Sequence, residues 1–133
     1  VVSQNSETSG RSGMTLQQAM IVGAGGFLGA VSRWVVAGKW GTPPWDIVLV
    51  NTLGSLLIGI VLAWPEDLCR DGLRQFLATG FCGSFTTFSA FSWQTVDLIK
   101  DGRFVSAGLN IALSVVLCIF GVCIGIALAQ KIA

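Results

Sequence analysis

Apolar residues fall along the chain in four long runs parted by short polar segments. The first covers about 17–38 (QQAMIVGAGGFLGAVSRWVVAG) and stops at KWGTPPWD, where two prolines and Gly41 end any helix. The second, about 47–64 (IVLVNTLGSLLIGIVLAW), is closed by Pro65 and the charged segment EDLCRDG. The third, about 73–98, is mixed, LRQFLATGFCG followed by SFTTFSAFSWQTVDLI, and the fourth, about 104–130, is the most apolar. A bilayer core about 30 Å thick is crossed by about 20 apolar residues of helix, so each run predicts one span. The expected architecture is an all-α membrane protein of four transmembrane helices forming a single domain over 14–133. Residues 1–13 (VVSQNSETSGRSG) are polar, Ser-rich and aperiodic, and are expected to be a disordered leader or extension. Trp34, Trp40, Trp45, Trp64 and Trp93 fall near predicted span ends, where an aromatic belt places them.

The polar positions inside the runs carry the chemistry, because a polar group in hydrocarbon must be paired or face water. Asn51 is the lone amide of the second run, with Thr52 and Ser55 beside it. Ser106, Asn110 and Ser114 follow one another at intervals of four, which puts them on one helical face as a polar stripe. Such residues can simply bond across helices, but three in register together with Asn51 favour the lining of a pathway. In the third run Gly80 and Gly83, followed by Ser84, Thr86 and Thr87, are poor formers of continuous helix, and a break near 83–86 is expected. Broken backbone at membrane depth frees carbonyls that can hold a cation. Phe81, Phe85, Phe88 and Phe91 at spacings of four, three and three form a packing stripe, or present positive ring edges to an anion. Gly25 with Gly29 and Gly121 with Gly125 are G-x-x-x-G pairs that permit close helix packing.

Composition sharpens what these groups can do. Residues are 53% hydrophobic and 11% charged, and 17 Gly bring the apolar share to about 66%, well above a soluble domain. The chain has no His, which removes imidazole metal sites, His-dependent triads and His proton relays. A net charge of +1 offers no field for nucleic acid. The four cysteines lack C-x-x-C spacing and read as small reduced hydrophobes, with no chemistry assigned. No acidic residue lies in the middle of a run, so the lining offers neutral hydroxyl and amide donors, which suit an anion and give no carboxylate for proton coupling. Arg33, near the end of the first run, is either a snorkelling anchor or a fixed positive charge at a pore mouth. With four spans, Arg11, Arg70, Arg74 and Lys131 share one side and Arg33, Lys39, Lys100 and Arg103 the other. This balance leaves little to fix orientation, and two opposed copies would pair about an axis in the membrane plane.

Three segments together, GGFLGAVSRW at 25–34, NTLGS at 51–55 and GFCGSFTTFSAFS at 80–92, resemble the fluoride channels of the Fluc (CrcB) family, and the resemblance covers nearly all of 17–130. It implies an antiparallel, dual-topology homodimer in the bilayer of the cell's inner (plasma) membrane, with no catalysis and no nucleic-acid partner. It also implies a structural sodium ion at the dimer centre, held by backbone carbonyls of Gly83 and Thr86. The fluoride pathway it implies consists of the ring edges of Phe88 and Phe91, then Asn51, Thr87 and Ser89, and on the fourth span Ser106, Asn110 and Ser114, with Arg33 as the pore-mouth charge. The chain departs from the family at Trp34 and Gln94, where tyrosine and an acidic residue are frequent, and at Ser106, where some members place a tyrosine. The function implied is passive export of fluoride from the cytoplasm, lowering a toxic concentration. The competing reading, a small dual-topology multidrug exporter driven by protons, would need a membrane-embedded carboxylate.

Overall fold

The computed structural model describes residues 14–67 and 69–132, all helix and connecting loop; the expectation for residues 1–13 lies outside the described residues. Helix α1 (Leu16–Trp40) starts at a capping box. The Thr15 hydroxyl accepts from the Gln18 N–H at 3.2 Å and the Gln18 side chain accepts from the Thr15 N–H at 3.0 Å, which satisfies two donors that a helix start leaves open. After the Thr42-Pro43-Pro44 turn comes α2 (Trp45–Ala63), with Asp46 in its first turn facing the positive end of the helix dipole. Pro65 prevents its continuation.

The third run folds as two half-helices. The first, α3, covers 71–85 as one α turn (Asp71–Arg74), a π-helical stretch (Gln75–Cys82) and a last α turn (Gly83–Phe85). The second is α4 (Phe88–Lys100). Between them Thr86 (φ −77°, ψ 156°) and Thr87 (φ −152°, ψ 116°) are extended. The break therefore lies at the far edge of the expected interval, and Gly83 itself is still helical (φ −60°, ψ −32°). The reason is that threonine hydroxyls can take over backbone hydrogen bonds, whereas Gly80 lies where α3 touches the backbone of α1. Helix α5 (Phe104–Ile132), 29 residues long, completes the chain. Among the described residues α1, α2 and α5 are each long and apolar enough to cross a membrane, and α3 and α4 share the remaining run.

Two glycine seams hold these helices together. On α1, a Cβ at Gly25 would collide with the Phe76 carbonyl and one at Gly29 with the Phe81 carbonyl, while α3 answers with Gly80 against the Val22 carbonyl. On α5, a Cβ at Gly125 would strike the Leu56 carbonyl, and α2 answers with Gly59 against the Val122 carbonyl. Both G-x-x-x-G pairs thus mark a backbone-to-backbone approach, one on α3 and one on α2. Gly54 of α2 makes room for the Thr86 methyl and so seats the helix break on α2. Large apolar side chains such as Phe27, Ile119, Phe120 and Ile124 remain exposed around the outside, a surface that water would not tolerate and that lipid or another apolar surface covers.

Candidate functional site

At the helix break both extended residues are held by hydrogen bonds. The Thr86 N–H and the Thr86 hydroxyl both donate to the Cys82 carbonyl at 3.0 Å. The Thr86 carbonyl accepts from Arg33 Nη1 of α1 at 3.3 Å. Asn51 of α2 clamps the next residue: the Thr87 N–H donates to Asn51 Oδ1 at 2.7 Å, and Asn51 Nδ2 donates to the Thr87 carbonyl at 3.1 Å. The Thr87 hydroxyl accepts from the Ala90 N–H at 3.2 Å and caps α4, and it also lies 3.1 Å from the Ser89 hydroxyl. Neither extended residue is left with an orphaned backbone group, which is what allows a break at membrane depth. The Gly83 carbonyl is different. Its helical donor would be the Thr87 N–H, which goes to Asn51 instead, so this oxygen is released.

A cavity of about 420 Å³ opens beside the break. Of the residues expected to serve the site, Asn51, Gly83, Thr86, Thr87, Phe88, Phe91 and Ser114 all line it. Ser55, Ile58, Cys82, Val115 and Cys118 complete the wall. The Phe88 and Phe91 rings lie 5.3 Å apart, inclined at 46°, and Phe88 is 78% exposed. Phe81 and Phe85 stack on each other instead, centroids 5.6 Å apart, and Phe85 is buried. The four-Phe stripe therefore divides into a packing pair and a cavity pair. Ser114 is 7% exposed and its Oγ has no hydrogen-bond partner among the described residues.

The rest of the expected pathway lies elsewhere. Arg33 and Ser89 line a second cavity of about 760 Å³, together with Trp34, Asp46, Trp93 and, shared with the first cavity, Thr87. Asn110 lines neither; it is fully buried between α4 and α5 and donates to Thr95 Oγ1 at 2.8 Å, with its own Oδ1 unpaired. Ser106 is part-buried near the start of α5 and lines neither cavity. The stripe at 106, 110 and 114 shares one face as expected, but only its inner end meets the cavity. Sequence reasoning passed over Thr95, which falls four residues after Phe91 on the same face, and Cys118, which continues the stripe four residues beyond Ser114. Gln94 donates to Asp46 Oδ1 at 3.0 Å and ties α4 to the start of α2.

These groups have a definite chemical range. The first cavity presents hydroxyls, one amide, ring edges and carbonyls, with no carboxylate on its wall. Among the described residues no group of three or more His, Cys, Asp or Glu could hold a metal ion. Hard carbonyl oxygens suit a hard cation: the Gly83 oxygen is released, and the Thr86 oxygen keeps one lone pair beyond its bond to Arg33. The donors and ring edges suit a small anion.

The family model described as "CrcB-like protein, Camphor Resistance (CrcB)" matches residues 20–126. Among curated relatives, the fluoride-specific ion channel FluC of Ruminiclostridium cellulolyticum is 44% identical over 119 residues, which is 84% of this chain and 92% of the relative. The protein of the same name from Pyrococcus furiosus is 40% identical over 124 residues, 89% of this chain and all of the relative. That of Geobacter sulfurreducens is 40% identical over 114 residues, 80% of this chain and 92% of the relative.

Proposed function

This chain belongs to the CrcB family, and from that membership we propose that it is a fluoride-selective channel through which fluoride leaves the cytoplasm passively. It is a multi-pass protein of the plasma membrane, in a class of ion channels rather than enzymes. The observation that carries the reading is the cavity beside the break, where the Phe88 and Phe91 rings, Asn51, Thr87 and the unpaired Ser114 hydroxyl meet with no acidic group. Fluoride is small and strongly hydrated, so a pore must replace its water with closely set donors. Hydroxyls, the second N–H of the Asn51 amide and positive ring edges supply them, and a narrow lining disfavours the larger chloride. Arg33, at the second cavity with Ser89 and Thr87, adds a fixed positive charge, opposed on the same wall by the Asp46 carboxylate that Gln94 holds. Ser106 and Asn110 extend the polar face toward the loop before α5. The proton-coupled exporter is not favoured, because the cavity has no carboxylate to exchange a proton.

The working unit is an antiparallel homodimer of dual topology. Two features support it. A ring as exposed as Phe88 on an open cavity needs a covering surface. The basic residues of the described chain also divide almost evenly, with Arg33, Lys39, Lys100 and Arg103 toward one end and Arg70, Arg74 and Lys131 toward the other, so insertion has little preference. In such a dimer the carbonyls of Gly83 and Thr86 from both copies are the donors for a sodium ion, which would supply a fixed positive charge near an anion path.

Fluoride efflux from liposomes containing the purified protein, measured against chloride efflux under the same gradient, tests the reading. Rapid fluoride loss with chloride retained is expected. Equal rates for the two halides, or fluoride loss no faster than from empty liposomes, would refute it.

A further inference from the structure

The cavity beside the break carries two thiols that fluoride conduction does not use. Cys82, the last residue of the π stretch of α3, is 2% exposed, and Cys118 of α5 is part-buried; both line the cavity and both are free. Ser114, one turn before Cys118 and on the same face of α5, brings a buried hydroxyl with no partner to the same wall. Cys69 and Cys123 are also free but line no part of this cavity.

Sulfur donors select soft, polarizable ions, whereas hard divalent ions need several oxygen ligands and hold their water. Phe88, Phe91, Ile58 and Val115 make much of the wall apolar, which favours a monovalent ion over a divalent one because less charge is taken out of water. We propose that this cavity binds a soft monovalent cation, of the class of Cu(I) and Ag⁺, through Cys82 and Cys118 with the Ser114 oxygen as a weak third donor, and that the bound ion plugs the pore. One sulfur–metal bond forms as one S–H bond breaks, and the proton leaves to water. The second thiol donates a lone pair while keeping its proton, so one cation enters as one proton leaves and the ion and the thiolate form a neutral unit in the cavity. Neither sulfur nor metal changes oxidation state.

The plug rests on the channel reading, but the binding site does not, and the experiment separates them. Protein carrying Cys69→Ser and Cys123→Ser, which leaves the two cavity thiols, is assayed with Ag⁺ in chloride-free nitrate medium. Silver content per chain is measured on the purified protein, and fluoride efflux with and without Ag⁺ is measured in liposomes. One silver per chain is expected, with efflux slowed on the order of tenfold or more and restored by dithiothreitol. Further replacing Cys82 and Cys118 with Ser, or with Ala should the serine protein fail to fold, is expected to abolish both silver binding and silver block. Silver content unchanged by that replacement, block that persists after it, or silver bound without any slowing of efflux overturns the proposal. Absence of fluoride efflux before silver is added counts against the channel reading alone, and the silver content still decides the site.

Discussion

Asn51 holds Thr87 as one peptide group holds another: its side-chain carbonyl accepts from the Thr87 N–H at 2.7 Å and its side-chain amide donates to the Thr87 carbonyl at 3.1 Å. Replacing Asn51 with Ala leaves two part-buried backbone groups without their partner, a destabilisation of up to about 1–3 kcal/mol for each. Asn51→Asp keeps the acceptor and loses the donor, and sets a negative charge on an anion path. Both variants are expected to show lower thermal stability in detergent than the parent, and both to lose fluoride efflux. Efflux at the parental rate in Asn51→Ala would remove the clamp from the mechanism.

Phe88→Ile and Phe91→Ile remove ring edges while keeping apolar bulk. Each is expected to bring fluoride efflux down to the leak of empty liposomes. Isoleucine keeps apolar bulk at both positions, so each variant is expected to elute at the parental volume. Full efflux from both variants would leave the rings with no part in conduction.

Gly23 and Gly29 lie on the same helix with opposite surroundings. A Cβ at Gly23 meets nothing within 4 Å, whereas one at Gly29 collides with the Phe81 carbonyl. Gly23→Ala is therefore expected to stabilise the protein by about 0.5–1 kcal/mol through helix propensity. Gly29→Ala is expected to destabilise it by about 1–3 kcal/mol by forcing α1 away from α3. Thermal unfolding of the two variants in one detergent measures the difference, and equal midpoints would contradict the seam.

Single cysteines placed at Glu66 and at Asp101, both exposed and at opposite ends of the helices, report orientation in cells. With the native cysteines replaced, each is expected to react with a membrane-impermeant thiol reagent from outside in part of the population and from inside in the remainder. Complete labelling of one position from outside, with none of the other, would establish a single orientation.

Much of this arrangement is legible in the residues. The four apolar runs match the helical segments to within a few residues because a run long enough to cross hydrocarbon folds as helix until proline, glycine or charge stops it. The glycine pairs mark the seams because only a missing Cβ lets backbones touch. Asn51, Phe88 and Phe91 stand out as polar or paired aromatic groups in an apolar setting. What stays hidden depends on partners distant in sequence. That Asn51 reaches Thr87 and that Arg33 reaches the Thr86 carbonyl follows from how α1, α2 and α3 pack, and no local pattern encodes it. The π stretch at Gln75–Cys82 is hidden too, since its side chains would suit an ordinary helix. The division of the 106, 110 and 114 stripe reflects what lies opposite each residue: Thr95 bonds Asn110, whereas Ser114 shares the cavity wall with Phe88 and Phe91.

The partners of the break bear on how the chain is made. Arg33 and Asn51 both precede Thr86 and Thr87 in the sequence. Synthesis proceeds from the N-terminus, so α1 and α2 have emerged before the two threonines leave the ribosome. The extended pair would be a poor segment to hand to lipid alone, with its polar backbone exposed. It is released into a bilayer where a guanidinium and an amide are already waiting, so the order of residues along the chain is also an order of assembly.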